Sequence, residues 1–153
     1  MHLLGEGLRL LSVTSLGVFV GGMLAEGCVL VPSWRAMPAA GFFAWYAAND
    51  RRLPAFFGPL TSITALLAVA AALASAWEGH PGSPAAVAAA ILSLGVVSTF
   101  FLYFRGANAT FASAAIGAER LPAELARWAA WHWWRTGLSV AALAAALSAS
   151  GRP

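Results

Sequence analysis

The sequence predicts an all-α protein: an integral membrane four-helix bundle, up-down-up-down, with a short interfacial amphipathic helix between spans one and two. Three observations predict it. Hydrophobic residues make up 60% of the 153-residue chain and charged residues 10%, with a mean hydropathy of +0.74, whereas soluble domains carry roughly 25% charge. Four apolar runs approach the roughly 20 residues that cross a bilayer: Leu10 to Val31, Phe56 to Trp77, Ala85 to Phe104 and Trp128 to about Ala149. The turn "EGHPGSP" between runs two and three is short and rich in Gly and Pro, which favours an antiparallel hairpin. One transmembrane domain, residues 1–153, accounts for the whole length.

Composition also excludes. The nine basic residues are all Arg, and the formal charge of +3 is scattered rather than gathered into a stripe, so no nucleic-acid partner is expected. The single Cys28 leaves no intramolecular disulfide or two-thiol redox motif, and its place in an apolar run suits a small buried side chain. No nucleophile elbow, phosphate loop or Cys/His metal framework is present, which removes the common soluble-enzyme classes.

Span one is too long for a signal-peptide core, and "GGMLAEG" makes a poor cleavage site, so it is expected to stay as a helix. Its Gly17 and Gly21, with Gly22 one turn before Glu26, suit a close helix approach. Between spans one and two, Phe42, Trp45, Tyr46 and Asn49 share one face of a short helix begun by Pro38, read as lying on the membrane surface. Span two opens with a Gly58-Pro59 break followed by Thr61 and Ser62. Span three ends in "FFLYF" and then Arg105 and Asn108, three residues apart on one face. Only about a dozen apolar residues follow Arg135 in span four, so that helix must start upstream and carry His132 and Arg135 inside.

An up-down-up-down order brings these polar groups to one depth. Glu26 lies roughly 7 Å inside the end of span one, and His132 and Arg135 roughly 6 and 10 Å inside the start of span four, at about 1.5 Å per residue. Arg105, Asn108, Thr61 and Ser62 fall on the same side. A charge at mid-membrane costs on the order of 2.5–3.5 kcal/mol, so Glu26 is expected to face inwards and meet Arg135, Arg105 or His132. The plainer readings are a hydrogen-bonded membrane histidine, arginines that snorkel or fix helix register, and an interfacial tryptophan belt of Trp128, Trp131, Trp133 and Trp134.

The runs "EGCVLVPSWRAMP", "NDRRLPAFFGPL", "FRGANATFA" and "RWAAWHWWRTGLSVAALAAAL", in that order from Leu10 to Leu147, resemble the anthrone oxygenase-like family of small membrane proteins. The resemblance implies oxidation of an anthrone-like polycyclic phenol at an activated methylene by molecular oxygen, with no organic cofactor expected. Such chemistry asks for a base and for cations that hold an enolate or phenolate. His132 is the candidate base, Glu26 its orienting partner and Arg135 the oxyanion cation, these three forming the catalytic set. Asn108, Arg105, Trp131, Trp134 and Phe57 are the candidate substrate-binding residues.

Two alternatives stand beside this reading. One is a non-catalytic bundle that binds a lipid, quinone or pigment, or serves as an accessory subunit of a larger complex. The other is a transition-metal or haem site using His132 and Glu26, for which a homo-oligomer would supply further ligands. Expected partners are a lipophilic small molecule and membrane lipids. The expected location is the bacterial inner membrane, and Arg51, Arg52, Arg120 and Arg127 in the first and third loops, against Arg9 and Arg152, place both termini outside the cytoplasm.

Overall fold

The computed structural model describes residues 2–151, and over these it is all-α, with no strand among the described residues. Helix α1 (His2–Ala25) runs through a π-helical turn, Glu26–Leu30, into α2 (Val31–Ala36). Pro32 explains the wider turn: it has no N–H to donate and its ring crowds the carbonyl one turn back, which an added residue relieves. Met37 is extended ahead of Pro38, as a residue before proline prefers, and the helix ends there. Pro38 then caps α3 (Ala39–Asn49). Helix α4 (Arg52–Trp77) passes through Pro59 without a break, so Gly58-Pro59 does not interrupt span two. Helix α5 (Ser83–Thr99), a second π turn (Phe100–Phe104) and α6 (Arg105–Ala112) form another continuous rod, and α7 (Leu121–Ser150) ends the described chain.

Three of these rods are long and apolar enough to cross a membrane: Leu3–Ala36, Arg52–Trp77 and Ser83–Ala112. The expected fourth span falls in α7, whose 30 residues give ample length. It is not among the three, because His132, Arg135 and the tryptophans of its first half dilute its apolar content.

The four long helices pack in the pairs α1·α4, α4·α5, α5·α7 and α1·α7. Their core changes character along the axis. At one end alanines meet: Ala68 and Ala72 on α4, Ala86 and Ala90 on α5, and Ala149 on α7. There a Cβ on Gly82 would collide with the Ala149 backbone, so only glycine lets the start of α5 lie against the end of α7. At the other end the core is aromatic, with Trp34, Phe42, Tyr46, Phe104, Phe111 and Trp128 all buried.

Several sequence expectations change here. The aromatic face of α3 turns into the protein: Phe42 and Tyr46 are buried against Trp34 and Phe111, so this helix covers the bundle with that face instead of laying it on lipid. Cys28 is exposed, because the π turn presents it outward. Gly17 and Gly21 face open space, and Gly22 meets the Phe57 and Phe56 rings at ordinary contact distance. A close approach is instead made at Gly27, where a Cβ would stand 2.9 Å from His132 Nε2. Arg9 is not a free charge but is part-buried in an ion pair with Glu78, 3.2 Å apart, while Arg152 lies outside the described residues.

Candidate functional site

Glu26, His132 and Arg135 meet at the aromatic end of the bundle. Glu26 begins the first π turn and is 4% exposed, and His132 on α7 is fully buried. Arg135 Nη2 donates to Glu26 Oε2 at 2.8 Å and to His132 Nδ1 at 3.0 Å. The carboxylate oxygen lies 3.4 Å from that same Nδ1. On the other side of the ring, His132 Nε2 is 2.9 Å from the carbonyl oxygen of Met23. A carbonyl only accepts, so Nε2 carries the proton and Nδ1 presents a lone pair to Arg135. Thr136 Oγ1 donates to the His132 carbonyl at 2.8 Å and lies 3.4 Å from Nε2.

Aromatic rings complete the enclosure. The guanidinium carbon of Arg135 stands 3.9 Å over the Phe104 ring, a cation–π arrangement that suits a desolvated Arg. Trp128 stacks on His132 with centroids 5.3 Å apart and planes 8° from parallel. Glu26 is the first residue of one π turn and Phe104 the last of the other, so both irregular turns deliver a side chain to the same guanidinium. Widened turns of this kind recur at functional sites, because they aim a side chain that a regular helix would point elsewhere.

The expected binding residues separate. Asn108 accepts a hydrogen bond from Trp128 Nε1 at 3.0 Å and so supports the ring that stacks on His132. Trp131 stacks on Tyr103, 5.2 Å away and 7° from parallel. The Tyr103 hydroxyl donates to Glu124, which also pairs with Arg127. Arg105 and Trp134 are exposed and take no part in the cluster. Phe57 packs with Phe19, Met23 and Val96. Thr61 donates to its own helix, to the Phe57 carbonyl, and Ser62 is exposed.

Trp34, Tyr46 and Phe104 are site residues that sequence reasoning missed. Burial first, and then the charge of the nearby Glu26, hold the Tyr46 phenol above its ordinary value, so it stays protonated on the inward face of α3. The only sequence signal for Trp34 was its place in "PSWRAMP", one helical turn before a proline.

Glu26 and His132 are the residues there that could ligate a metal, and among the described residues no third His, Cys, Asp or Glu joins them. Two small voids, each of about 10 Å³ or one water, lie away from the cluster. One is lined by Arg9, Ser12 and alanines, and the other by Thr61, Thr64, Ser93 and Ser139 among apolar neighbours. Comparison of the chain with protein-family models, curated proteins and solved structures finds no match.

Proposed function

We propose that the chain is an integral membrane protein crossing four times, up-down-up-down, whose Glu26–His132–Arg135 cluster performs base-assisted oxidation of a flat, lipophilic phenol. The observation that carries the chemistry is the cluster itself: a carboxylate, an imidazole and a guanidinium buried together among aromatic rings. Ionisable groups at such depth are expensive in a bilayer and are kept where they pair and act. The membrane reading is supported by three apolar rods and by outward-facing Leu66, Leu73, Ile91 and Leu102. Four crossings are supported by contacts of opposite ends: Arg9 with Glu78, Glu26 with Arg135, and Gly82 against Ala149. Exposed Arg51, Arg52, Arg120 and Arg127 at the aromatic end favour a cytoplasmic position for it, with both termini on the other side. A periplasmic-active reporter joined to residue 1 tests that orientation.

The reaction class follows the resemblance to the anthrone oxygenase-like family. An activated methylene becomes a carbonyl: one atom of O2 enters the product, and the other leaves as water with the two methylene hydrogens. The chain's own groups have a definite sequence of roles. Arg135 now occupies the lone pair of His132 Nδ1. A phenolate oxygen that draws Arg135 away frees that lone pair to take the methylene proton. Glu26, 3.4 Å from Nδ1, then pairs with the imidazolium. The cation therefore links substrate binding to release of the base.

The test is oxygen uptake by detergent-purified protein with an anthrone. Wild type consumes oxygen and forms the anthraquinone, and His132→Gln slows this at least ~100-fold, the usual contribution of a general base. Undiminished turnover in that variant overturns the mechanism.

A further inference from the structure

The aromatic cluster holds a polar atom that the roles above leave unused. Trp34 is 1% exposed, and its Nε1 is the one buried side-chain nitrogen or oxygen among the described residues with no hydrogen-bond partner. Folded proteins rarely leave such a donor unpaired, because its lost hydration is not replaced, and an exception asks what acceptor arrives.

The ring is held on several sides. Trp128 meets it at 5.3 Å and 77°, Trp45 at 5.5 Å and 57°, and Tyr46 at 6.0 Å and 63°. Trp128 is also the ring that stacks on His132 and lies 5.5 Å from the Arg135 guanidinium carbon. The unpaired N–H therefore belongs to a ring one neighbour removed from the catalytic cluster. Helix α3 covers it through aromatic contacts, and among the described residues no side-chain hydrogen bond ties α3 to another element: Asn49 donates to Trp45 within the same helix. Ring faces in contact can part and reform without leaving polar groups unpaired. A flat molecule entering beneath α3 would therefore part ring contacts and break no side-chain hydrogen bond to another element.

We infer that Trp34 Nε1 is a binding donor for the acceptor oxygen of a planar fused-ring ligand entering beneath α3. The inference rests on the aromatic-substrate reading above and adds the recognised group: a carbonyl or phenolate oxygen on the ring edge. A bare hydrocarbon of the same shape gains the stacking but not this bond. Trp34 thus sets specificity for oxygenated rings.

The test compares 1,8-dihydroxyanthraquinone with anthracene, each titrated into the full chain in lipid nanodiscs, by quenching of tryptophan fluorescence against empty nanodiscs. Wild type binds the anthraquinone, and Trp34→Phe, which keeps an aromatic ring and removes the N–H, weakens it about tenfold, as expected for one hydrogen bond, leaving anthracene unchanged. Equal affinity of wild type and variant for the anthraquinone, or equal weakening of both ligands, overturns the role of Trp34 and leaves the aromatic-substrate reading standing. Failure of wild type to bind the anthraquinone overturns both. If Trp34→Phe does not fold, the indole ¹H–¹⁵N resonances of wild type carry the test. An exchange-protected signal moves downfield with the anthraquinone and stays put with anthracene; no such movement overturns the inference.

Discussion

The two ends of this molecule each bury an arginine–glutamate pair, and the pairs are built differently. Arg9 and Glu78 are 10% and 7% exposed; Arg135 and Glu26 are 14% and 5% exposed. Burial alone does not separate them. Their surroundings do. Arg9 has Ser75 as its further polar partner, at 3.4 Å, and sits beside alanine-lined packing, with no imidazole among its side-chain hydrogen-bond partners in the described residues. Arg135 shares its guanidinium with an imidazole, lies under an aromatic ring, and is met by side chains from two π turns. One pair closes a helix junction, whereas the other holds a titratable group in a chosen state. A buried ion pair becomes a candidate for chemistry through the third group it contacts.

Charge removal should break the comparison most sharply. Leaving one member of a buried pair without its partner costs about 3–5 kcal/mol, whereas replacing both with neutral groups of similar volume is often close to neutral. Arg9→Met and Arg135→Met are each expected to lower the midpoint of thermal unfolding in detergent, and the doubles Arg9→Met/Glu78→Gln and Glu26→Gln/Arg135→Met to recover most of it. Oxygen uptake should recover only in the first double. If both doubles regain activity, Arg135 is structural, and the proposed release of His132 by the cation is wrong.

Glycine substitutions sharpen the contrast at a smaller scale. A Cβ on Gly27 would lie 2.9 Å from His132 Nε2 and 3.0 Å from the Trp133 ring; Trp133 is exposed, but the His132 ring is fully buried and bonded at both nitrogens. Gly27→Ala is expected to cost about 1–3 kcal/mol, as overpacking does, and to reduce turnover by moving the imidazole off the Met23 carbonyl. Gly17→Ala and Gly21→Ala, which meet nothing within 4 Å, should change stability little. Unfolding midpoints and turnover of the three variants, measured side by side, check this.

The same glycines show what the sequence could and could not reveal. Glu26, His132 and Arg135 were legible together because charged residues inside apolar runs are costly, and antiparallel neighbours leave few places for them to meet. The partners around them were not. A π turn adds a residue and advances the following helix by about 100°, a third of a turn, which a regular period cannot anticipate. Arg105, directly after the second π turn, is exposed, while Phe104 inside that turn reaches Arg135. Trp34 and Tyr46 were hidden for another reason. They touch each other across the α2–α3 corner, and their ring partners beyond that corner, Trp128 and Phe111, come from α7 and α6, far along the chain, so the closing of this aromatic cluster onto the site is not visible locally. Arg9 and Glu78 lie 69 residues apart, and each reads as an ordinary helix-end charge until the fold joins them.

The smallest expected effect tests how His132 is held. Nε2 has two neighbours: the Met23 carbonyl at 2.9 Å and the Thr136 hydroxyl at 3.4 Å, whose own donor goes to the His132 carbonyl. The shorter contact, to an atom fixed in the backbone, should determine the tautomer. Thr136→Val keeps the side-chain shape and removes only the hydroxyl, so it should cost less than about 1 kcal/mol, within the range of a single neutral hydrogen bond. Turnover should remain within about threefold of wild type, because Nε2 still donates to Met23 and Nδ1 still faces Arg135. Ser75→Ala at the other pair should be similarly mild in stability and silent in turnover. A loss in Thr136→Val approaching that of His132→Gln would mean that the hydroxyl orients the imidazole, and the base would then be held by side chains of α7 rather than by the backbone of α1.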